Sequence, residues 1–351
     1  MQIFIVCNSM KNDCVIWTMN SNESDVHEWI IHHLLLGFSH IYIYDDHSSP
    51  PMIDVIDQLP QEYSKRVTCY RLDDEYELRK IDYEKTPVHD LKYFDGEIYR
   101  KNKGNKQRYF ANYFIKTHRD VAKYCLFSDI DEYVYLKQDN SIVDFLDKVD
   151  TYDYIQLPWV YYGTSYYVDN PTGMVMDNFR FNNGYEKECK MIINLKKAGD
   201  MQCIHQFYEK NTRSQYKETY WTQTYDNTTE LGTLDIHLNH YITKAYKTCM
   251  RKKRSHCLGQ VSWFDRTIGQ LIATCMGLDR IHDKHIMEKY IPRINNILNY
   301  KLNENHYRFG KNYRAKCYYN GMELSYGWLK KQQITTELLD DIIVSKNVEY
   351  K

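Results

Sequence analysis

The chain has 351 residues, a formal net charge of -1, 43% hydrophobic and 26% charged residues. That balance excludes a protein held to nucleic acid or to an anionic membrane by its overall field, and the absence of any run of about 18 apolar residues excludes a membrane-spanning helix. The length allows one large domain, or one domain with an appendage, around a sizeable core.

The opening stretch, MQIFIVCNSMKNDCVIW, lacks a basic leader and a long apolar segment, so it reads as strand and not as signal peptide. The expected location is the cytoplasm or a soluble assembly site. Ten cysteines are scattered without CxxC pairs, which predicts free thiols in a reducing compartment and no zinc site.

CVIWTMN, Cys14 to Asn20, is rich in β-formers and predicts a buried strand. Ser21 or Ser24 caps the helix that follows, with Trp29, Ile30, His33 and Leu34 on one face and Gly37 as its stop. A strand from His40 to Tyr44 ends in Asp45, Asp46 and Ser48. PMIDVIDQLP is a short helix closed by Pro60, and RVTCYRL is a third strand. Residues 73 to 104 are charged, tyrosine-rich and aperiodic, and predict a mobile loop. NKQRYFANYFIKTHRDVA is an amphipathic helix, KYCLFSD a fourth strand, SIVDFLDKV a helix and DYIQLPW a fifth strand. GMVMDNFRF, CKMIINL and MQCIHQFY are expected in a smaller, mixed sheet. From Phe264 onward helices are expected, as in RTIGQLIATCMGL and ITTELLDDIIVS, with a soft boundary near residue 265.

Strand and helix alternating at this rhythm predict an α/β fold with a mostly parallel sheet. In such sheets ligands sit beyond the carboxyl ends of the strands. Asn20, Asp45, Asp46, Asp129 and Asp131 all fall at such ends.

The stretch YCLFSDIDEY ends an apolar run in crowded carboxylates, which repel one another. Asp129 and Asp131 flank a turn and can share one hard cation, Mg²⁺ or Mn²⁺, that keeps positions open for phosphate oxygens. A cation on a diphosphate makes it a good leaving group, which is the chemistry of a nucleotide-sugar donor. Asp-x-Asp alone is a weak signal; after a strand in an α/β pattern it gains weight. Glu132 is expected to turn away and brace the loop.

NESDVHEWIIHHLLLGFSHIYIYDDHSS carries Glu28, Trp29, Ile30, His33, Gly37, Tyr42, Tyr44, Asp45 and Ser48 in order. Gln107, DIDEY, then Trp159, Gly163 and Ser165 in LPWVYYGTS, then Lys190 and His205, come after it. Asn239, His240, Tyr241 and Lys244 complete the series. This ordered set resembles GT-A glycosyltransferases of the family 92 (DUF23) and family-2-like group, over about residues 14 to 265.

The resemblance implies a GT-A (nucleotide-diphospho-sugar transferase) fold with a mostly parallel central sheet. It spans 1–265, with a nucleotide-binding half to about 135 and an acceptor half from about 136, before a helical C-terminal extension over 266–351. It implies a metal-dependent glycosyltransferase, using Mn²⁺ or Mg²⁺. A hexose would move from a nucleotide-diphosphate sugar, UDP-sugar first, to a hydroxyl of a glycan or glycoconjugate. Asn20, Asn22, Glu23 and Asp45 would flank the nucleotide, and Gln107, Trp159 and Lys190 would join them at the donor. Asp129 and Asp131 would hold the metal and the ribose-diphosphate, with His240, favoured over His205, completing the metal shell. Lys244, Lys252 and Arg254 would neutralise the diphosphate. An inverting transfer needs a base on the acceptor hydroxyl. Asp265, Glu188 and His205 are its candidates, with Asp265 put first. The loop from 73 to 104 is expected to help select the acceptor.

Plainer readings stand beside these. His32, His33 and His240 can be packed histidines, Asp45 and Asp46 can cap a turn, and Lys252 and Arg254 can be a solvated basic face. The chain departs from the family at Ala245, where Ser is usual, and it starts almost at its first strand where animal relatives carry an anchor and stem. Phosphatases with an Asp-x-Asp strand end need Thr or Val where this chain has Tyr133, so that class is set aside. The alternative function is a catalytically inactive, glycosyltransferase-like sugar-binding or scaffold protein.

Overall fold

The structure, a computed structural model, describes residues 13–23, 25–72, 103–165, 167, 169–203, 205–209, 219–220, 234–249, 274, 277–279, 281–283, 289–302, 316–319, 322–324 and 342–345. The loop expected over 73–104 lies outside them except at its last two residues, which open a helix, and so does most of the segment expected to be helical after Phe264.

The chain divides into two compact units, each discontinuous in sequence. The first comprises 1–159, 187–224 and 233–238; the second comprises 160–186, 225–232 and 239–351.

The early elements are β1 (Cys14–Asn20), α1 (Val26–Leu35), β2 (Ile41–Asp45), α2 (Met52–Ile56), α3 (Gln61–Ser64) and β3 (Val67–Arg71). Then come α4 (Lys103–Thr117), β4 (Tyr124–Phe127), β5 (Glu132–Leu136), α5 (Ile142–Lys148) and β6 (Tyr154–Tyr162). α6 (Val175–Asn178), β7 (Phe181–Asn194), β8 (Ala198–Cys203), β9 (Gln206–Glu209), β10 (Thr219–Tyr220) and β11 (Ile236–His240) succeed them.

The first unit is built on a sheet of order β3-β2-β1-β4-β7-β6-β11-β5, to which β6, β7 and β11 contribute through residues 154–159, 187–194 and 236–238. β1 runs parallel to β2, with Asn20 opposite Asp45, and parallel to β4, with Trp17 opposite Phe127. β2 and β3 are also parallel, with Asp45 opposite Arg71. These strands therefore deliver their last residues to one edge. The expected parallel sheet is modified by β7, which runs antiparallel to β4 and pairs Phe127 with Met191. The sheet is mixed.

Buried strands of parallel sheets are apolar on both faces, which is why CVIWTMN reads as an unbroken run. Val15 and Trp17 of β1, Cys125 and Phe127 of β4, and Met191 and Ile193 of β7 form one face of the core. Phe110, Ala111, Phe114 and Ile115 of α4 cover it, a stripe at helical spacing. Gln107 lies three residues before Phe110 on that same stripe, so it points at the sheet.

α1 begins at Val26 with Asp25 as its N-cap and no side-chain capping bond, so Ser21 is not its cap, and Ser24, the other residue expected to cap it, lies outside the described residues. Its end is the expected one: Gly37 adopts φ +91, and the Phe38 N–H bonds back to the His33 carbonyl. α5 has a true side-chain cap, Ser141 accepting from the Asp144 N–H at 3.1 Å.

Three expectations are corrected. GMVMDNFRF begins as the short helix α6, and strand starts only at Phe181, after Arg180 has bonded Asp177. EYVYL, not read as strand, forms β5. It is buried at every residue, so it lacks the alternation that marks a half-exposed strand. In the second unit β12 (Ile281–His282) pairs antiparallel with β7. Where a helical extension is expected, the described residues include the helix α7 (Ile291–Leu298), but β13 (Lys316–Tyr319), β14 (Met322–Leu324) and β15 (Ile342–Ser345) form an antiparallel sheet of order β14-β13-β15. Ile342, Ile343 and Val344 are β-branched, and strand pairing outweighs the helical pattern there.

Candidate active site

The carboxylate turn joins β4 to β5. Glu132 opens β5 with a fully buried side chain that does brace the loop: its Oε2 accepts from Ser128 Oγ at 2.8 Å and from the Asp129 N–H at 2.9 Å. α1 clamps the far side of β5. Trp29 Nε1 donates to the Glu132 carbonyl at 2.7 Å, and His32 Nε2 lies 2.8 Å from the Val134 carbonyl. His33 Nδ1 faces its own helix at the Trp29 carbonyl, 2.8 Å, and its Nε2 accepts from the Val134 N–H at 3.4 Å. Both histidines are packed groups bonded to backbone.

Asp129 is fixed at both oxygens. Oδ1 accepts from Gln107 Nε2 at 2.8 Å and Oδ2 from Lys190 Nζ at 2.7 Å. The register explains the second bond. One step beyond the Phe127–Met191 pair, antiparallel β7 sets Lys190 beside the turn. Lys190 is completely buried, also lies 3.5 Å from Glu132 Oε1, and sits over the Trp159 ring at 5.5 Å. Burial pulls its pKa down, but the charges of Asp129 and Glu132 outweigh that, so the ammonium is held protonated.

His205 stands in the turn between β8 and β9. Its Nδ1 donates to the Cys189 carbonyl at 2.7 Å, and its ring meets Trp159 edge-on with centroids 5.0 Å apart. The neutral imidazole then presents Nε2 as an acceptor. Burial, with the Lys190 charge, lowers its pKa, which keeps that nitrogen unprotonated at neutral pH.

The ends of β1 and β2 are sewn into one platform. Ser48 Oγ accepts from Asn20 Nδ2 at 3.0 Å and from the Asn22 N–H at 2.9 Å. Asn22, at φ +60, accepts from the Ser49 N–H at 2.8 Å, and the Glu23 N–H reaches Asn20 Oδ1 at 3.3 Å. Asp45 is engaged on all sides by the protein: Ser48 N–H and Met52 N–H at 2.9 Å each, and Arg71 at 2.6 Å. Burial alone raises its pKa, but these bonds outweigh it and hold the carboxyl below the usual range. Asp45 thus shapes the platform and caps α2. Arg71 was missed from sequence, although it too ends a strand and the same strand-end rule points to it.

In the second unit, His240 is buried with its ring 5.3 Å from Tyr161, and Lys244 is buried at φ +47. The loop after β6 is held by Asp279, which accepts from Thr164 Oγ1 at 2.9 Å and from the Ser165 N–H at 2.8 Å. A Cβ on Gly163 would fall 2.3 Å from Asp279 Oδ1, so a larger residue there would force Asp279 or the loop to shift. Lys252, Arg254 and Asp265 lie outside the described residues.

Among the described residues no three His, Cys, Asp or Glu side chains gather as a metal cage. The donor set still suits a hard cation. Asp129 and Asp131 supply oxygens only and Asp129 keeps a partly exposed edge; a Mg²⁺ or Mn²⁺ held there would take its remaining positions from water and phosphate.

The sequence model of glycosyltransferase family 92 matches residues 14–256. No curated protein matches the chain. Among solved structures it is similar to mouse xyloside xylosyltransferase 1 in its apo form, at 10% identity over 53% of this chain and 67% of that one, TM-score 0.28. It is also similar to the galactosyltransferase LgtC in complex with donor and acceptor sugar analogues, at 14% identity over 52% of this chain and 58% of that one, TM-score 0.25. Likenesses this distant carry no weight for activity; the weight rests on the family match.

Proposed function

The chain belongs to glycosyltransferase family 92, and from that premise we propose that it moves a hexose from a nucleotide-diphosphate sugar, UDP-sugar first, to a hydroxyl of a glycan or glycoconjugate. The observation that carries this reading is the turn after β4, where Asp129 is fixed on both oxygens beside Asp131 at the carboxyl edge of parallel strands.

Asp129 and Asp131 are the residues that would hold Mn²⁺ or Mg²⁺ with the donor diphosphate. When bound, the cation neutralises charge on the leaving diphosphate. The chain's own groups do the rest. Gln107 and Lys190 fix the angle of Asp129. The Asn20–Asn22–Ser48 platform offers a rigid floor for the nucleotide. His205 supplies the base: its Nε2 takes the proton from the acceptor hydroxyl as that oxygen bonds the anomeric carbon and the bond from this carbon to the diphosphate oxygen breaks, the electron pair leaving on the diphosphate. Its neutral state and its anchored Nδ1 support that role; Asp265, outside the described residues, and Glu188 are the other candidates.

The test is a melting-temperature screen of UDP, GDP, CDP and their sugars, with and without Mn²⁺. A ligand at a hundred times its dissociation constant adds about 2.7 kcal/mol, a readily visible shift. The expected result is a Mn²⁺-dependent shift with one nucleotide, abolished in a folded Asp131→Asn variant. No shift with any nucleotide would leave the inactive sugar-binding scaffold as the better reading.

A further inference from the structure

A buried ammonium beside a carboxylate turn is an unusual choice, because desolvating it is costly unless partners surround it. Lys190 has those partners: Asp129 at 2.7 Å, Glu132 at 3.5 Å and the face of Trp159 at 5.5 Å. Its side chain is 1% exposed, whereas that of Asp129 is 35% exposed. The positive charge is therefore locked behind the carboxylate, and the outer edge of Asp129 faces the solvent.

We propose that Lys190 is a positioning residue that acts as a built-in counter-cation, so that the Asp129–Asp131 pair binds a divalent cation only together with the donor's diphosphate. This rests on the metal-dependent reading above. A cation arriving alone meets a carboxylate already half neutralised, and it meets the repulsion of the ammonium behind it. The diphosphate brings the negative charge that Lys190 has cancelled and completes the coordination shell with its oxygens. Metal and nucleotide are then coupled ligands, each tightening the other. The arrangement also keeps the crowded carboxylates stable before either arrives. Glu132, fully buried, has its charge offset from within the fold.

The test is Mn²⁺ binding, read from the free Mn²⁺ signal by electron paramagnetic resonance, with the intact chain and no nucleotide. Lys190→Met removes the buried positive charge and leaves the carboxylates of the turn in place. This variant is expected to bind bare Mn²⁺ about tenfold more tightly than the wild type, within the usual range of coupling between sites. Lys190→Arg, which keeps the charge, is expected to bind it as weakly as the wild type. A folded Lys190→Met variant that binds bare Mn²⁺ no more tightly overturns the proposal. Wild-type melting gives a second readout that needs no variant. Mn²⁺ and UDP together are expected to shift it by more than the sum of their separate shifts. A shift with Mn²⁺ alone as large as with UDP present overturns the counter-cation role and leaves the metal site standing. Nucleotide binding that Mn²⁺ does not alter at all overturns the metal site itself, and the counter-cation role with it.

Discussion

The indole of Trp29 donates its N–H to the backbone carbonyl of Glu132 at 2.7 Å, across 103 residues of sequence. The residue it grips is the one whose side chain orders Ser128 and the Asp129 amide. Trp29→Phe keeps the ring in the core but strands a buried carbonyl, at a cost of about 1–3 kcal/mol. Urea unfolding is expected to show that loss. The nucleotide-induced melting shift is expected to shrink as well, because the turn loses its anchor.

His33 makes the fold acid-sensitive. Nδ1 must carry the proton to donate to the Trp29 carbonyl, and Nε2 must stay bare to accept from Val134. Burial first, and then His32, holds its pKa well below the ordinary value of 6.5. The unfolded chain therefore binds the proton more readily, and the stability from the neutral ring is full above about 6.5 and falls as pH drops below it. Denaturation curves from pH 8 to pH 5 are expected to show this fall. His33→Gln, which cannot protonate, is expected to be weaker at pH 8 and to lose less on acidification.

Asp45 acts at lower pH. It accepts from Ser48, Met52 and Arg71, and its carboxyl is held below the usual range. Its contribution is present above the unfolded carboxylate value of about 3.9 and is lost as pH falls through the lower folded value. Asp45→Ala is expected to destabilise the chain by about 2–4 kcal/mol near neutrality, since two buried amides lose their acceptor. Equilibrium unfolding measures it.

Gly163→Ala is expected to destabilise by about 1–3 kcal/mol, the usual range for overpacking. The added methyl would meet Asp279 Oδ1 at 2.3 Å, and Asp279 cannot turn aside without releasing Thr164 and Ser165. Gly163→Ala combined with Asp279→Ala is expected to cost less than the sum of the two single losses, since the clash is counted only once; strictly additive losses would argue against the clash.

His205→Gln is expected to stay folded, to bind nucleotide normally and to lose about 10²–10⁴-fold in turnover, the usual worth of a positioned base. With the wild type, the acid limb of the rate profile is expected below pH 6.5, because burial and Lys190 lower the His205 pKa. A variant retaining full turnover would move the base elsewhere, with Asp265 next to test.

The parallel strands, and the residues that stand at their ends, are legible in the chain's local pattern. β1 spans the predicted residues, and Asn20, Asp45 and the Asp129 turn lie where the pattern put them. These are local signals: apolar runs of strand length, helical stripes such as Phe110–Phe114, and turn residues after them. β5, α6 and the C-terminal strands depend instead on contacts between distant segments. A fully buried strand shows no alternation, and pairing with remote neighbours overrides weak local preference. Those contacts also assign each carboxylate its role. Asp45 and Asp129 look alike in sequence, each at the end of a strand. Arg71, from the neighbouring strand, and two amides close around the first, whereas Lys190 reaches the second from 61 residues away and leaves its outer edge exposed. Charge compensation depends on distances in space, and only the folded register of β4 against β7 sets those.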